Sequence, residues 1–160
     1  MNKEDVYNFL KEKNISYEVD EHEAVYNMEE LREVNLLYPE ADAKNLFVRD
    51  DKKANYYLIS VKGDKRVDLK EFKEKYNTRR LSFASSDDLF AIMNLTPGSV
   101  SPFGLLNDKD LKVTFYIDKE FLDMDMIGVH PNENTVTVWI KTSDLINIIK
   151  EHGNVVNIYE

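Results

Sequence analysis

The chain has 160 residues, 42% of them hydrophobic, with no cysteine and a formal net charge of −9. That length and apolar content suffice to bury a core within one domain without a covalent staple. The missing cysteines exclude disulfides, thiolate metal sites and cysteine nucleophiles, and the negative balance excludes a broad cationic face that coats nucleic acid.

The first residues, MNKEDVYNFLKEK, lack the apolar stretch of a signal peptide. No window approaches the roughly 18 apolar residues of a membrane span. The expected location is therefore the cytoplasm, with no membrane partner. The charge is unevenly spread. Residues 1–43 hold twelve acids and four bases, whereas residues 62–80 hold eight bases against four acids. A solvated helix of mixed charge is the commoner reason for such a run, and a local basic region can also meet phosphates on an acidic protein.

In chain order, residues 3–13 read as an amphipathic helix, with Val6, Phe9 and Leu10 at helical spacing. Residues 15–19 alternate like a short strand. Asn27 with Glu30 resembles a capping box for a helix over 28–37, which Pro39 ends. Residues 44–49 and 55–61 are β-rich runs, and the polar DDKKA between them suits a hairpin. Asp68 with Glu71 forms a second capping box, for a helix to Tyr76. Ser85 or Ser86 caps a helix over DDLFAIMN that stops at Thr96-Pro97-Gly98. The two prolines and two glycines of TPGSVSPFG predict irregular structure. Residues 112–117, 126–129 and 135–140 read as strands, with HPNEN as a tight polar turn between the last two. Thr142 is the expected cap of a helix to His152, Gly153 its stop, and 155–159 a closing strand. The mixture without strict alternation predicts a single α+β domain over 1–160. Its sheet is expected to be mixed or mostly antiparallel, curled or barrel-like, with surrounding helices.

General catalytic templates are missing. There is no GxGxxG, Walker loop, HExxH or GxSxG. His22, His130 and His152 lack the close spacing of a metal site, so no metal and no cofactor is expected. Three local features stand out. Lys44 opens an apolar strand; such a lysine commonly snorkels at a strand end, and it can also project a fixed charge into a cleft. Gly98-Ser99-Val100-Ser101-Pro102 can serve as a connecting loop, or can aim consecutive N–H groups at one oxygen as an oxyanion site. His130 ends a strand before Pro131, where it serves the turn or donates to a substrate.

These features, in this order, resemble the YbaK/ProX family of aminoacyl-tRNA editing domains, whose hallmarks are a lysine on a strand and a later GxxxP loop. The blocks KNLFVRD (44–50), YYLISV (56–61), TPGSVSPFGLLND (96–108) and GVHPNENTVTV (128–138) are similar to the ProX type. The resemblance runs over essentially the whole chain. It implies a free-standing deacylase for alanine misattached to tRNA(Pro). The activity is hydrolysis of the aminoacyl ester by water, without a covalent nucleophile, and the substrate's own ribose hydroxyl is implied to help activate that water. Within that reading, the N–H groups of Gly98, Ser99, Val100 and Ser101 hold the ester carbonyl, and Lys44 anchors the terminal phosphate or other polar groups. Asn45 and His130 hydrogen-bond near the same cleft. Leu46, Phe47, Met93, Val100 and Phe103 are candidate wall residues, with Pro102 holding the loop. A small pocket that excludes the proline ring would complement the synthetase as an editing sieve. The expected partner is the acceptor end of a mischarged tRNA, met by Lys44, Arg79 and Arg80; a handover from prolyl-tRNA synthetase stays open. Two alternatives remain: a deacylase for cysteine or serine on tRNA, and a non-catalytic module that binds an amino acid or tRNA end.

Overall fold

Residues 44–48 place apolar side chains on both sides of one strand, and a strand with two apolar faces needs a cover on each. The computed structural model describes residues 1–22 and 36–160 and supplies both covers. In chain order its elements are α1 (Lys3–Glu12), β1 (Tyr17–Glu21), β2 (Ala43–Asp50), β3 (Tyr56–Lys62), α2 (Leu69–Tyr76), β4 (Leu81–Phe83) and α3 (Ser86–Met93). They continue with β5 (Val113–Asp118), α4 (Lys119–Met124), β6 (Ile127–Val129), β7 (Val136–Ile140), α5 (Thr142–His152) and β8 (Val156–Tyr159). Short 3-10 turns occupy Pro39–Ala41 and Pro102–Asn107. The helix expected over 28–37 lies mostly outside the described residues.

The strands form two open sheets, so the expected α+β mixture holds while neither sheet closes into a barrel. The larger has the order β4-β2-β3-β5-β8: β2 is antiparallel to β3 and β4, and the β3–β5 and β5–β8 pairs are parallel. The smaller, β1-β7-β6, is antiparallel throughout. Alternation divides the residues of the larger sheet between two cores. Phe47, Leu58, Phe115 and Ile117 face the main core with α1, α3, α5 and the smaller sheet. Val48, Ile59, Val61 and Tyr116 face α2, where Phe72 packs edge-on against Tyr116 at 4.8 Å between ring centroids. Thr142 does not cap α5 as expected. It is the first helical residue, and its buried hydroxyl donates to the Phe121 carbonyl (2.7 Å) instead.

Three buried aspartates fasten the connections around the larger sheet. Asp50 accepts from the Ala54 N–H (2.9 Å) and the Asn55 amide (2.8 Å), closing the β2–β3 hairpin. Asp108 accepts from the N–H groups of Lys112 and Val113 and from the Asn154 amide. Asp118 accepts from the Lys62 N–H (3.0 Å), the Lys65 ammonium (2.8 Å) and the Glu120 N–H (3.0 Å). Each carboxylate lies beside donors that hold its charge, which is the condition for burying one.

Asp42 is different. It sits where β2 meets the smaller sheet, bridged to Gly128, and is 7% exposed. Burial pushes its carboxyl up to about 7, with the Ala43 N–H opposing. The unfolded chain ionises this group near its ordinary 3.8, so the folded state is penalised as pH rises from there through about 7, and the penalty is constant above. Asp42→Asn should therefore stabilise the protein by on the order of 2 kcal/mol at pH 8 and leave it nearly unchanged near pH 4. Thermal melts of both proteins from pH 4 to 8 test this; a gap that does not widen with pH contradicts it.

Candidate active site

The site begins with an incomplete strand pairing. β3 pairs with β2 along Ala43 to Arg49, but β4 reaches only Val48, Arg49 and Asp50. The chain then leaves the sheet after the Ala84 N–H bonds the Phe47 carbonyl (3.0 Å). Strand geometry turns the peptide groups of Asn45 toward the same edge as those of Phe47. Among the described residues, no strand pairs with that edge at Asn45, between Phe47 and the isolated bridge from Asp42 to Gly128. A hollow of about 200 Å³ occupies the place. Asn45, Leu46 and Phe47 line it from β2, and Phe83, Ala84, Ser86 and Leu89 from β4 and α3. Pro97, Gly98 and Val100 line it from the loop after α3.

The loop's shape follows from its sequence. Asn94 ends α3 in the left-handed region (φ 54°), and Gly98 takes φ 92°, which a side chain resists. Of the four N–H groups named above, that of Ser99 is used within the turn, donating to the Thr96 carbonyl (3.1 Å). Those of Gly98, Val100 and Ser101 have no hydrogen-bond partner among the described residues. Ser101 is fully buried. Its hydroxyl donates to the His130 carbonyl and accepts from the Phe103 N–H (3.1 Å), so it caps the turn that Pro102 opens. The serine thus ties the GxxxP loop to the strand end carrying His130.

Lys44 is half-buried and stands one pleat, about 7 Å, beyond Leu46 on the same face of β2. Its ammonium donates to the Lys65 carbonyl. That carbonyl belongs to the turn held by Asp118, through the Lys62 N–H and the Lys65 ammonium. Burial lowers the Lys44 pKa below its ordinary value, the nearby Arg66 charge lowers it further, and Asp64 opposes. The ammonium is therefore at the β3–α2 turn, on the flank of the hollow rather than in its lining. Asn45 faces the other way and accepts from the Ser60 hydroxyl.

His130 also flanks the hollow. Its Nδ1 lies 2.8 Å from the Val136 carbonyl, an acceptor only, so Nδ1 carries the proton and Nε2 of the neutral ring is free to accept. Burial is the main cause of its lowered pKa, the Val136 bond opposes, and His22, 6.2 Å away between ring centroids, lowers it further. Gly128, in the same block, has a structural reason: a Cβ there would lie 2.1 Å from the Trp139 ring.

The remaining expected residues lie elsewhere. Met93, Pro102 and Phe103 are buried behind the loop, Met93 and Phe103 within the main core, and none of the three lines the hollow. Arg79 forms a two-point pair with Asp51 (2.6 and 3.0 Å). Arg80 lines a separate groove with Lys70 and Lys73. Sequence reasoning missed Phe83, Ala84, Ser86, Leu89 and Pro97 as lining, and Lys65 and Asp118 as the support of Lys44. Only Pro97, inside the marked loop, carried a local signal. No cluster of three His, Asp or Glu able to hold a metal occurs among the described residues.

Comparison with known proteins places the chain in a family. The model of the aminoacyl-tRNA editing domain family matches residues 22–148. The chain is 40% identical over 145 residues to the prolyl-tRNA editing protein ProX of Acetoanaerobium sticklandii, covering 91% of this chain and 88% of that protein. It is 29% identical to the mouse prolyl-tRNA synthetase associated domain-containing protein 1, covering 88% and 85%. A solved structure of a candidate trans-editing enzyme for prolyl tRNA synthetase shares the fold, with a TM-score of 0.69 at 17% identity over 98% of this chain and 94% of that one. A family model that matches most of the chain and a ProX relative 40% identical over 91% of it lead to one conclusion: the protein belongs to the aminoacyl-tRNA editing domain family and is an aminoacyl-tRNA deacylase.

Proposed function

We propose that this deacylase acts in trans on mischarged tRNA(Pro), and that the amino acid it removes is alanine. The observation that carries the reading is the meeting, at one hollow, of the β2 edge left open at Asn45 with Gly98 and Val100 of the loop after α3, whose N–H groups have no partner among the described residues. The similarity to ProX, a prolyl-tRNA editing protein, supports the choice of tRNA.

Hydrolysis of an aminoacyl ester passes through a tetrahedral oxyanion. Fixed donors aimed at that oxygen need no reorganisation when charge develops, which is the largest economy available to such a site. The N–H groups of Gly98, Val100 and Ser101 supply those donors. Lys44 approaches from the flank, exchanging the Lys65 carbonyl for an oxygen of the terminal nucleotide. Its partial burial strengthens that contact relative to one made in water. The free Nε2 of His130 is an acceptor beside the loop, available to water or a ribose hydroxyl. The family resemblance implies water as the attacking group, activated with help from the substrate's own ribose hydroxyl, and the chain holds no cysteine that would compete as a nucleophile. Phe47 and Leu89 make the hollow's apolar wall, sized for a short side chain.

Two outcomes test this reading. Wild-type protein should deacylate Ala-tRNA(Pro) at least about 100-fold faster than Pro-tRNA(Pro), and Lys44→Ala should lose on the order of 100-fold in kcat/KM with an unchanged melting temperature. A faster rate on Cys-tRNA or Ser-tRNA ends the alanine assignment, and full activity in Lys44→Ala ends the role of that lysine. Gly98→Ala puts a side chain on a backbone held at φ 92°. It should cost about 1–2 kcal/mol in urea unfolding and lower kcat by displacing the loop donors; unaltered kcat argues against an oxyanion role for the loop.

A further inference from the structure

A second concavity, about 420 Å³, lies between α2 and β4. Its lining is Leu69, Lys70, Lys73, Arg80 and Leu81. The charged groups there are all cations, in a chain whose net charge is −9. None of the three has an ion pair or side-chain hydrogen bond among the described residues. Lys3, Lys13, Lys65 and Arg79 are paired with carboxylates, while other exposed lysines such as Lys52 and Lys141 are unpaired as well, so the groove is set apart by gathering three cations with no carboxylate in its lining. Arg79 and Arg80 make the contrast sharpest: Asp51 neutralises the first, and its neighbour is left to the groove. Lys70 and Lys73 lie one helical turn apart on the same face of α2. Of the acids of that helix, Glu71 is rotated by about 100° from Lys70 and Glu74, four residues after Lys70, shares its face, but neither lines the groove. Asp68 is committed to capping the helix, accepting from the Lys70 and Glu71 N–H groups.

The groove is joined to the candidate active site by β4. Leu81 lines the groove, and Phe83 and Ala84 line the hollow. From Arg80 to Phe83 the strand covers only about 10 Å. Phe83 is 62% exposed at the lip, an apolar surface across which a base can lie.

We propose that this groove binds the phosphodiester backbone of the nucleotides immediately preceding the terminal aminoacyl-adenosine, with β4 as the crossing between the two sites. The inference rests on the deacylase reading of the hollow. Three cations lining a concavity of about 420 Å³, two from α2 and one from the start of β4, offer contacts to successive phosphates on one strand.

The test compares wild type with the combined Lys70→Ala, Lys73→Ala, Arg80→Ala variant, whose fold is checked by thermal melting. Substrates are Ala-tRNA(Pro) and alanyl-adenosine, which has no preceding phosphate. On Ala-tRNA(Pro) the variant should raise KM on the order of 30-fold near 0.15 M salt, with kcat little changed. The slope of log(kcat/KM) against log[salt] should become shallower by about 2, from three lost single-strand phosphate contacts. On alanyl-adenosine the two proteins should be alike. A wild-type KM and salt slope in the variant, or an equal loss on alanyl-adenosine, overturns the proposal. Anisotropy of a fluorescent single-stranded oligonucleotide ending in CCA, with its phosphates but no attached amino acid, gives a readout independent of catalysis, and its binding should weaken in the variant. If wild type hydrolyses neither substrate, the deacylase reading fails, and the groove stands or falls on whether oligonucleotide binding weakens in the variant.

Discussion

The unfinished pairing of β2 is the constraint on which the rest of the site depends. A strand edge inside a folded protein exposes donors and acceptors that must find partners. β4 satisfies half of this edge and then turns into α3, leaving the Asn45 end open. α3 returns the chain over the gap, and its left-handed terminus at Asn94 aims the following loop across it. The hollow is thus produced by where a three-residue strand stops. The loop then has a steric reason to be glycine at 98 and proline at 102: the first permits the bend, the second starts the turn that Ser101 caps.

Rigidity around the hollow comes from polar ties that span long stretches of sequence. Ser101 fastens the loop to His130 across the gap to the smaller sheet. Asp118, on the parallel strand β5, fixes the turn whose carbonyl receives the Lys44 ammonium. The side groups nearest the chemistry are therefore oriented by neighbours buried in the scaffold, the arrangement a preorganised site needs. The lowered pKa values of Lys44 and His130 have the same origin, since withdrawal from water disfavours the charged form of each.

What could be read in advance was local. Asp68 marked the start of α2 because an aspartate accepting two N–H groups works the same way in any fold, and Gly153 marked the end of α5 for an equally local reason. The chemical peculiarity of Lys44 and of the GxxxP loop was also visible, because each breaks an expectation for its surroundings. The three-residue β4 was not foreseen, since Leu81-Ser82-Phe83 is too short to show a period and exists only because β2 offers an edge. Thr142 looked like a cap and instead met Phe121, a partner 21 residues away. The separation of Arg79 from Arg80 was equally hidden. Adjacent in sequence and alike in charge, they differ because Asp51 at the hairpin tip reaches only one of them.

That last difference bears on how an acidic protein can handle a polyanion. With 30 acidic and 21 basic residues, long-range attraction to nucleic acid is unavailable, and a uniform surface would repel it. Pairing several bases with carboxylates lowers the number of cations that can act as non-specific contacts. In the proposed groove beside β4, three cations gathered without a carboxylate would give a phosphate more from contact than it loses to the surrounding field. Such a design gives up tight, indiscriminate binding. For an editing enzyme this is a favourable exchange, because a deacylase that held every tRNA firmly would sequester the correctly charged majority while searching for the mischarged few. Affinity confined to a short strip near the acyl end would keep the decision with the hollow proposed to read the amino acid.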